Sequence, residues 1–277
     1  MAVAELRSLV LFRDVARHPF LSLLADAIAA DESDRDVATS ALAGLLASHA
    51  ELSLKSILVE SQNAYALHCE RGEDVPLEIA LALEHDLAIF NAMLAGATAW
   101  NIPEQLRPLF SLRMPEPLVV HEAREWLERV WRERGAGVMA VAHFFRWSPG
   151  VGFVPVNDPS RVLLDDIAGY AEYKELIAAN TRSLAEGLPA NNILLAGSRG
   201  TGKSSLVKAV GNEFARRGVK VVELEKANLP YLREFFAAVA GRGVKFVLFL
   251  DDISFDENEA EFRTFKSALE GCVERKP

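Results

Sequence analysis

Apolar residues fall at helical spacing through the first 135 residues of the chain. One set is Leu6, Leu9, Val10 and Phe12. A second is Leu42, Leu45 and Leu46, and a third is Leu81, Leu87, Phe90 and Leu94. Steps of three and four place each set on one face, so the pattern predicts a mostly α-helical amino-terminal domain over residues 1–135. Polar or proline breaks at His18-Pro19, Asp31-Glu32-Ser33-Asp34, Arg71-Gly72-Glu73-Asp74 and Asn101-Ile102-Pro103 separate the helices. The joint Met114-Pro115-Glu116-Pro117 leads into a charged helix from His121 to Arg134, packed through Trp126 and Trp131.

The period then changes. Val138 to Trp147 and Phe153 to Val156 flank Ser148-Pro149-Gly150, which predicts a β-hairpin connector over residues 136–159. From residue 160 onward, strand and helix patterns alternate. Glu172 to Ala179 reads as helix and Asn192 to Ala196 as a short buried strand. Ser205 to Arg217 reads as a helix with Leu206, Val207, Val210 and Phe214 on one face. Val219 to Leu224 is a strand and Leu229 to Ala240 a helix. Phe246 to Leu250, apolar throughout, is a strand expected to be buried on both faces. Past the acidic run Asp256–Glu261, a last helix turns Phe262, Phe265 and Leu269 inward. Alternation with short loops predicts an α/β core with a parallel sheet over residues 160–277.

Composition narrows the function classes. The chain has 277 residues, 50% hydrophobic, and a formal charge of −9. A globular protein follows, and the acidic balance argues against generic nucleic-acid binding through the phosphate backbone. Cys69 and Cys272 stand far apart and in no metal-ligand spacing, as expected of small hydrophobes in a reducing, cytoplasmic setting. The six histidines are scattered. The start, Met1-Ala2-Val3-Ala4-Glu5, lacks the basic region of a secretory signal. The longest uncharged run, Leu87 to Pro103, is short for a membrane span and reads as a buried core helix.

The densest chemistry lies at Gly197-Ser198-Arg199-Gly200-Thr201-Gly202-Lys203-Ser204, which fits G-x-x-x-x-G-K-S/T between a strand and a helix. Glycines at 197, 200 and 202 let backbone N–H groups approach a polyphosphate closely. The helix that follows adds its free N–H groups and positive dipole end. Lys203 reaches the β and γ phosphates as a point charge, and the Ser204 hydroxyl suits Mg2+. A second candidate set follows the strand Phe246–Leu250. Asp251 would orient the metal, and Asp252 would polarise an attacking water. The alternatives are a glycine-rich turn that binds nothing and an Asp-Asp turn that merely ends a core strand.

Three stretches carry a resemblance. The first runs from Asp166-Ile167-Ala168-Gly169-Tyr170 through Asn180-Thr181 to Asn192. The second is Arg199 to Ala209, including Ser205. The third runs from Phe249-Leu250-Asp251-Asp252-Ile253 to Leu269-Glu270-Gly271. With these the chain resembles the AAA+ superfamily and, within it, the bacterial predicted ATPases known as domain-of-unknown-function family 815. The resemblance implies ATP binding at Gly197 to Ser205, Mg2+ at Ser204 and Asp251, and hydrolysis with Lys203 and Asp252 as catalytic residues. It implies an adenine wall at Ile167, Gly169 and Tyr170, and self-association or remodelling of a protein partner. Similar ATPases commonly carry Glu where this chain has Asp252. The family pattern also places a further strand between the Asp-Asp strand and the phosphate-loop strand. That strand, a polar sensor, an arginine finger and a helical lid would lie past Pro277. The expectation is therefore a truncated core with a gap in its sheet. A non-catalytic ATP-binding interaction module is the alternative. A GTPase is disfavoured because no N/T-K-x-D signature is present.

Overall fold

The computed structural model describes residues 6–30, 34–49, 52–98, 120–157, 159–198 and 200–251. Two compact units result, Met1–Val141 and Ala142–Pro277.

The first unit is helical: α1 (Pro19–Ala29), α2 (Arg35–Ser48), α3 (Leu54–Val59), α4 (Ala64–Arg71), α5 (Leu77–Thr98), α6 (Val120–Arg134) and α7 (Val138–Val141). The breaks in the pattern act through identifiable caps. Pro19 opens α1, and the His18 Nδ1 accepts the Phe20 N–H at 3.1 Å. The Asn63 Oδ1 accepts the Ala66 N–H at 2.9 Å to start α4. Gly72, at φ +69°, ends α4 in the left-handed conformation that an L-residue resists. Phe12, Phe20, Phe90, Leu94, Leu127 and Trp131 lie in one buried core. Trp131 keeps its polar edge satisfied by donating Nε1–H to the Val59 carbonyl at 3.1 Å.

Residues 7–12 are a correction to the helical reading. Leu6, Leu9 and Phe12 are buried, yet past the helical Leu6 the segment runs as turns and bends. The cause sits on α5. The fully buried Asp86 carboxylate accepts N–H groups from Val10, Leu11 and Phe12 at 2.7–3.0 Å. A side chain replaces the i→i−4 carbonyls that a helix would supply. Val138–Val141 is likewise short helix rather than the start of a strand.

The second unit holds a four-stranded sheet of order β2-β1-β3-β4, with β1 Phe144–Ser148, β2 Gly152–Pro155, β3 Val219–Glu223 and β4 Lys245–Phe249. The hairpin is present: β1 and β2 pair antiparallel, with Trp147 opposite Phe153. It belongs to the main sheet, because β1 also pairs parallel with β3, and β3 with β4. The helices are α8 (Ala171–Ala185), α9 (Lys203–Phe214) and α10 (Leu232–Val239). Side chains alternate across the strands. Phe153 on β2 stacks on Phe246 of β4, and with Trp147 of β1 it meets Phe235 of α10. Phe144 and Val221 turn the other way and meet α9 at Gly211. A Cβ there would sit 2.6 Å from the Phe144 ring and 2.7 Å from Val221, so only glycine lets helix and sheet come this close.

Two strand expectations change. Asn192–Ala196 is not a strand, and Leu194 is 90% exposed. Among the described residues no strand lies beyond β4 to pair with it, and an extended segment without a ladder partner leaves its backbone to water. For the same reason β4 is half-buried along its length instead of buried on both faces. Among the described residues, no helix is long and apolar enough to cross a membrane.

Candidate functional site

The glycine-rich loop is closed by its own side chains. Gly200 and Gly202 stand at φ +84° and +85°, where an L-residue is strained, and nothing lies within 4 Å of where their Cβ atoms would be. Backbone conformation, not crowding, therefore demands glycine at both positions, and the space above them stays open. Gly202 caps α9, so Lys203 and Ser204 occupy the first turn of that helix. The Lys203 ammonium donates to the carbonyls of Gly197 and Ser198, each at 2.9 Å. The Thr201 hydroxyl donates to the Ser198 carbonyl at 2.9 Å. Ser205 follows, exposed.

The second half of the site reaches the loop through one bond. The Ser204 hydroxyl donates to the Asp251 carboxylate at 2.7 Å, across 47 residues of sequence. Asp251 stands just beyond the carboxyl end of β4, where a parallel sheet presents its ligand-facing loops. A hydroxyl and a carboxylate oxygen thus meet beside the lysine at the start of α9. Arg199 and Asp252 lie outside the described residues.

The segment 160–170 joins the same neighbourhood. Ile167 packs on the core formed by Leu164 with Leu206, Ala209 and Val210 of α9. Gly169 and Tyr170 both take left-handed conformations, at φ +74° and +56°. Tyr170 is the one non-glycine residue with positive φ among those described, and its exposed ring lies 6.4 Å from that of Tyr173. Such a conformation costs on the order of 1–3 kcal/mol and persists where neighbours hold it.

The sequence reading missed the residues that hold the stretch leading to it. The Asn212 amide on α9 donates to the carbonyls of Ser160 and Val162, each at 2.8 Å. Lys174 on α8 donates to the carbonyls of Leu164 and Ile167, at 3.1 and 2.9 Å. One sequence signal existed. Asparagine is a poor helix former, and inside a regular helix it points to a task for its amide.

Two titratable side chains of the first unit are held protonated. Burial pushes the Cys69 thiol up to about 11, so it stays protonated and weakly nucleophilic near neutral pH. Burial, with a hydrogen bond to Glu128, raises the Tyr65 phenol as well. No group of three or more His, Cys, Asp or Glu side chains gathers in a metal-holding arrangement among the described residues.

Residues 140–277 match the model of the family described as "Protein of unknown function (DUF815)". Neither the curated proteins nor the solved structures contain a match. The matched segment begins two residues before the second unit and spans the sheet, the glycine-rich loop and Asp251. This part of the chain belongs to the DUF815 family.

Proposed function

We propose that the second unit is an AAA+-type P-loop ATPase core that binds ATP with Mg2+ at the glycine-rich loop and hydrolyses it. The observation that carries this reading is the 2.7 Å bond between Ser204 and Asp251. These are hard oxygen donors, and Mg2+ takes one or two such protein ligands while keeping water and phosphate oxygens for the rest. They stand beside an ammonium and a helix amino-terminus, both of which favour polyphosphate. An idle turn has no use for that combination.

Each residue has a task. The loop N–H groups and Lys203 cradle the β and γ phosphates and stabilise the charge that develops on them. Lys203 must leave the Gly197 and Ser198 carbonyls to do so, exchanging neutral acceptors for charged ones. Ser204 and Asp251 would hold the Mg2+, which would supply charge neutralisation of the phosphates when bound. Asp252 takes the proton of the attacking water as the bond between the β-γ bridging oxygen and the γ phosphorus breaks, leaving ADP and phosphate. Ile167, Gly169 and Tyr170 take the adenine. Turnover is coupled to remodelling of a protein partner or to self-association.

The test is phosphate release from Mg·ATP by the wild-type chain and by Lys203→Ala. Loss of one charged transition-state donor lowers the rate by about a hundredfold or more. Equal release by both proteins would falsify the ATPase reading. A second reading has its own observation. Ile193 and Leu194, leading into the loop, are exposed and outside the sheet, so the loop lacks the strand that would stiffen it. A non-catalytic ATP-binding interaction module follows from that looseness. Calorimetric Mg·ATP binding without phosphate release would favour it.

A further inference from the structure

The carbonyls of the stretch 160–167 are captured by side chains from two helices. Exposed loops ordinarily leave such groups to water. Here Asn212 of α9 takes those of Ser160 and Val162, and Lys174 of α8 takes those of Leu164 and Ile167. The Asn212 orientation is determined by its partners. Because Nδ2 must donate to two carbonyls, Oδ1 is the acceptor, and it faces the His143 Nε2 at 3.1 Å. The His143 proton therefore sits on Nε2. Every hydrogen-bonding atom of the Asn212 side chain is engaged, and no other side chain of its size carries this donor and acceptor set.

The stretch ends at Ile167–Tyr170, with its two left-handed residues. The helix that bears Asn212 also bears Lys203 and Ser204 in its first turn. One helix thus carries Lys203 and Ser204 at one end, packs against Ile167 along its body, and holds the carbonyls of Ser160 and Val162 through Asn212. We propose that Asn212 and Lys174 are positioning residues for the nucleotide base: they fix the spacing between the loop that takes the phosphates and the segment that takes the adenine. This rests on the ATP reading above. Neither residue touches the nucleotide. Each acts through the backbone it holds.

The consequence is selective. Releasing the stretch loosens the base wall and leaves the loop, Lys203, Ser204 and Asp251 as they are. Calorimetry with Mg·ATP and with Mg·tripolyphosphate, which has phosphates and no base, separates the two. The wild-type chain should bind ATP more tightly than tripolyphosphate. Asn212→Ala should weaken ATP binding about tenfold while tripolyphosphate changes by less than about twofold. Lys174→Met should act in the same direction, and it carries the test if Asn212→Ala does not fold. A purely structural role would weaken both ligands together in both variants, and that result overturns the proposal. So does an unchanged ATP preference in both, which would leave the ATP reading itself standing. A wild-type chain that binds both ligands equally removes the base wall, and with it this proposal. One that binds neither removes the phosphate site first.

Discussion

The two units treat a buried or clustered charge in opposite ways. In the helical unit Asp86 is fully buried, and its carboxylate is consumed by three backbone N–H groups and the neighbouring His85. Asp14 is consumed likewise, by the Ser61 hydroxyl and the Gln62 N–H, while Asn63 donates to Ser61. In the α/β unit the charged groups converge at the surface. Lys203 leans on two carbonyls of its own loop, Asp251 takes a serine hydroxyl, and the loop is exposed. Backbone N–H groups gather around the Asp86 carboxylate. In the first unit the anion is part of the chain and the turn is finished. In the second the glycines keep the approach open from outside. A polar cluster in the core is architecture, whereas a charged one on an exposed loop is within a ligand's reach.

The largest test of that contrast is Asp86→Ala. It strands three N–H groups of residues 10–12 and should cost roughly 3–5 kcal/mol. Urea unfolding followed by fluorescence, with Trp126 and Trp131 reporting on the helical unit, measures it. Mg·ATP affinity should hold at urea concentrations well below the transition. A cost under about 1 kcal/mol would mean that the carboxylate is not the anchor.

Gly211→Ala comes next and probes the other unit. The added methyl must displace Phe144 or Val221, both rooted in the sheet. Overpacking of about 1–3 kcal/mol exceeds the gain of up to ~1 kcal/mol from alanine in a helix. Thermal melting should fall, and Mg·ATP binding should weaken because α9 carries Lys203 and Ser204. A more stable protein would show that helix and sheet are not in tight contact.

The smallest effect is a pH dependence in the helical unit. Burial, and then the nearby His49, lowers the His18 pKa from its ordinary 6.5. Its Nδ1 must also stay unprotonated to accept the Phe20 N–H. The unfolded chain therefore binds the proton more readily than the folded one. This contribution is complete above pH 6.5 and is lost as pH falls through the lowered folded value. The group is partly exposed, so the slope is shallow. His18→Asn keeps the cap and should flatten the fall in stability as pH drops below 6.5. An unchanged slope would assign the dependence elsewhere.

Much of this was legible in the chain itself. The run Leu87–Leu94 and the helix to Arg134 lie where their periodicity puts them, and so do the strands around Val221 and Val247. The spacing of Gly197, Gly200, Gly202 and Lys203 marked the loop, and the apolar run before Asp251 marked the strand that carries it. Two segments with equally good patterns came out otherwise. Residues 7–12 continue an apolar helical spacing but run as turns and bends, because Asp86 takes the N–H groups of residues 10–12 from as far as 76 residues away. Asn192–Ala196 is apolar like a strand but is none, because pairing depends on a neighbour.

The amino-acid order alone settled which residues prefer to be buried, where helices can start and stop, and which backbone positions require glycine. These are local properties, set by side-chain shape and by φ and ψ. Only the folded chain could decide that Ser204 meets Asp251, that Asn212 and Lys174 hold the carbonyls of residues 160–167, and that an apolar stretch stays outside the sheet. Those outcomes depend on which distant groups arrive within hydrogen-bonding range, and a hydrogen bond of under 3 Å has no signature in the sequence separation of its partners.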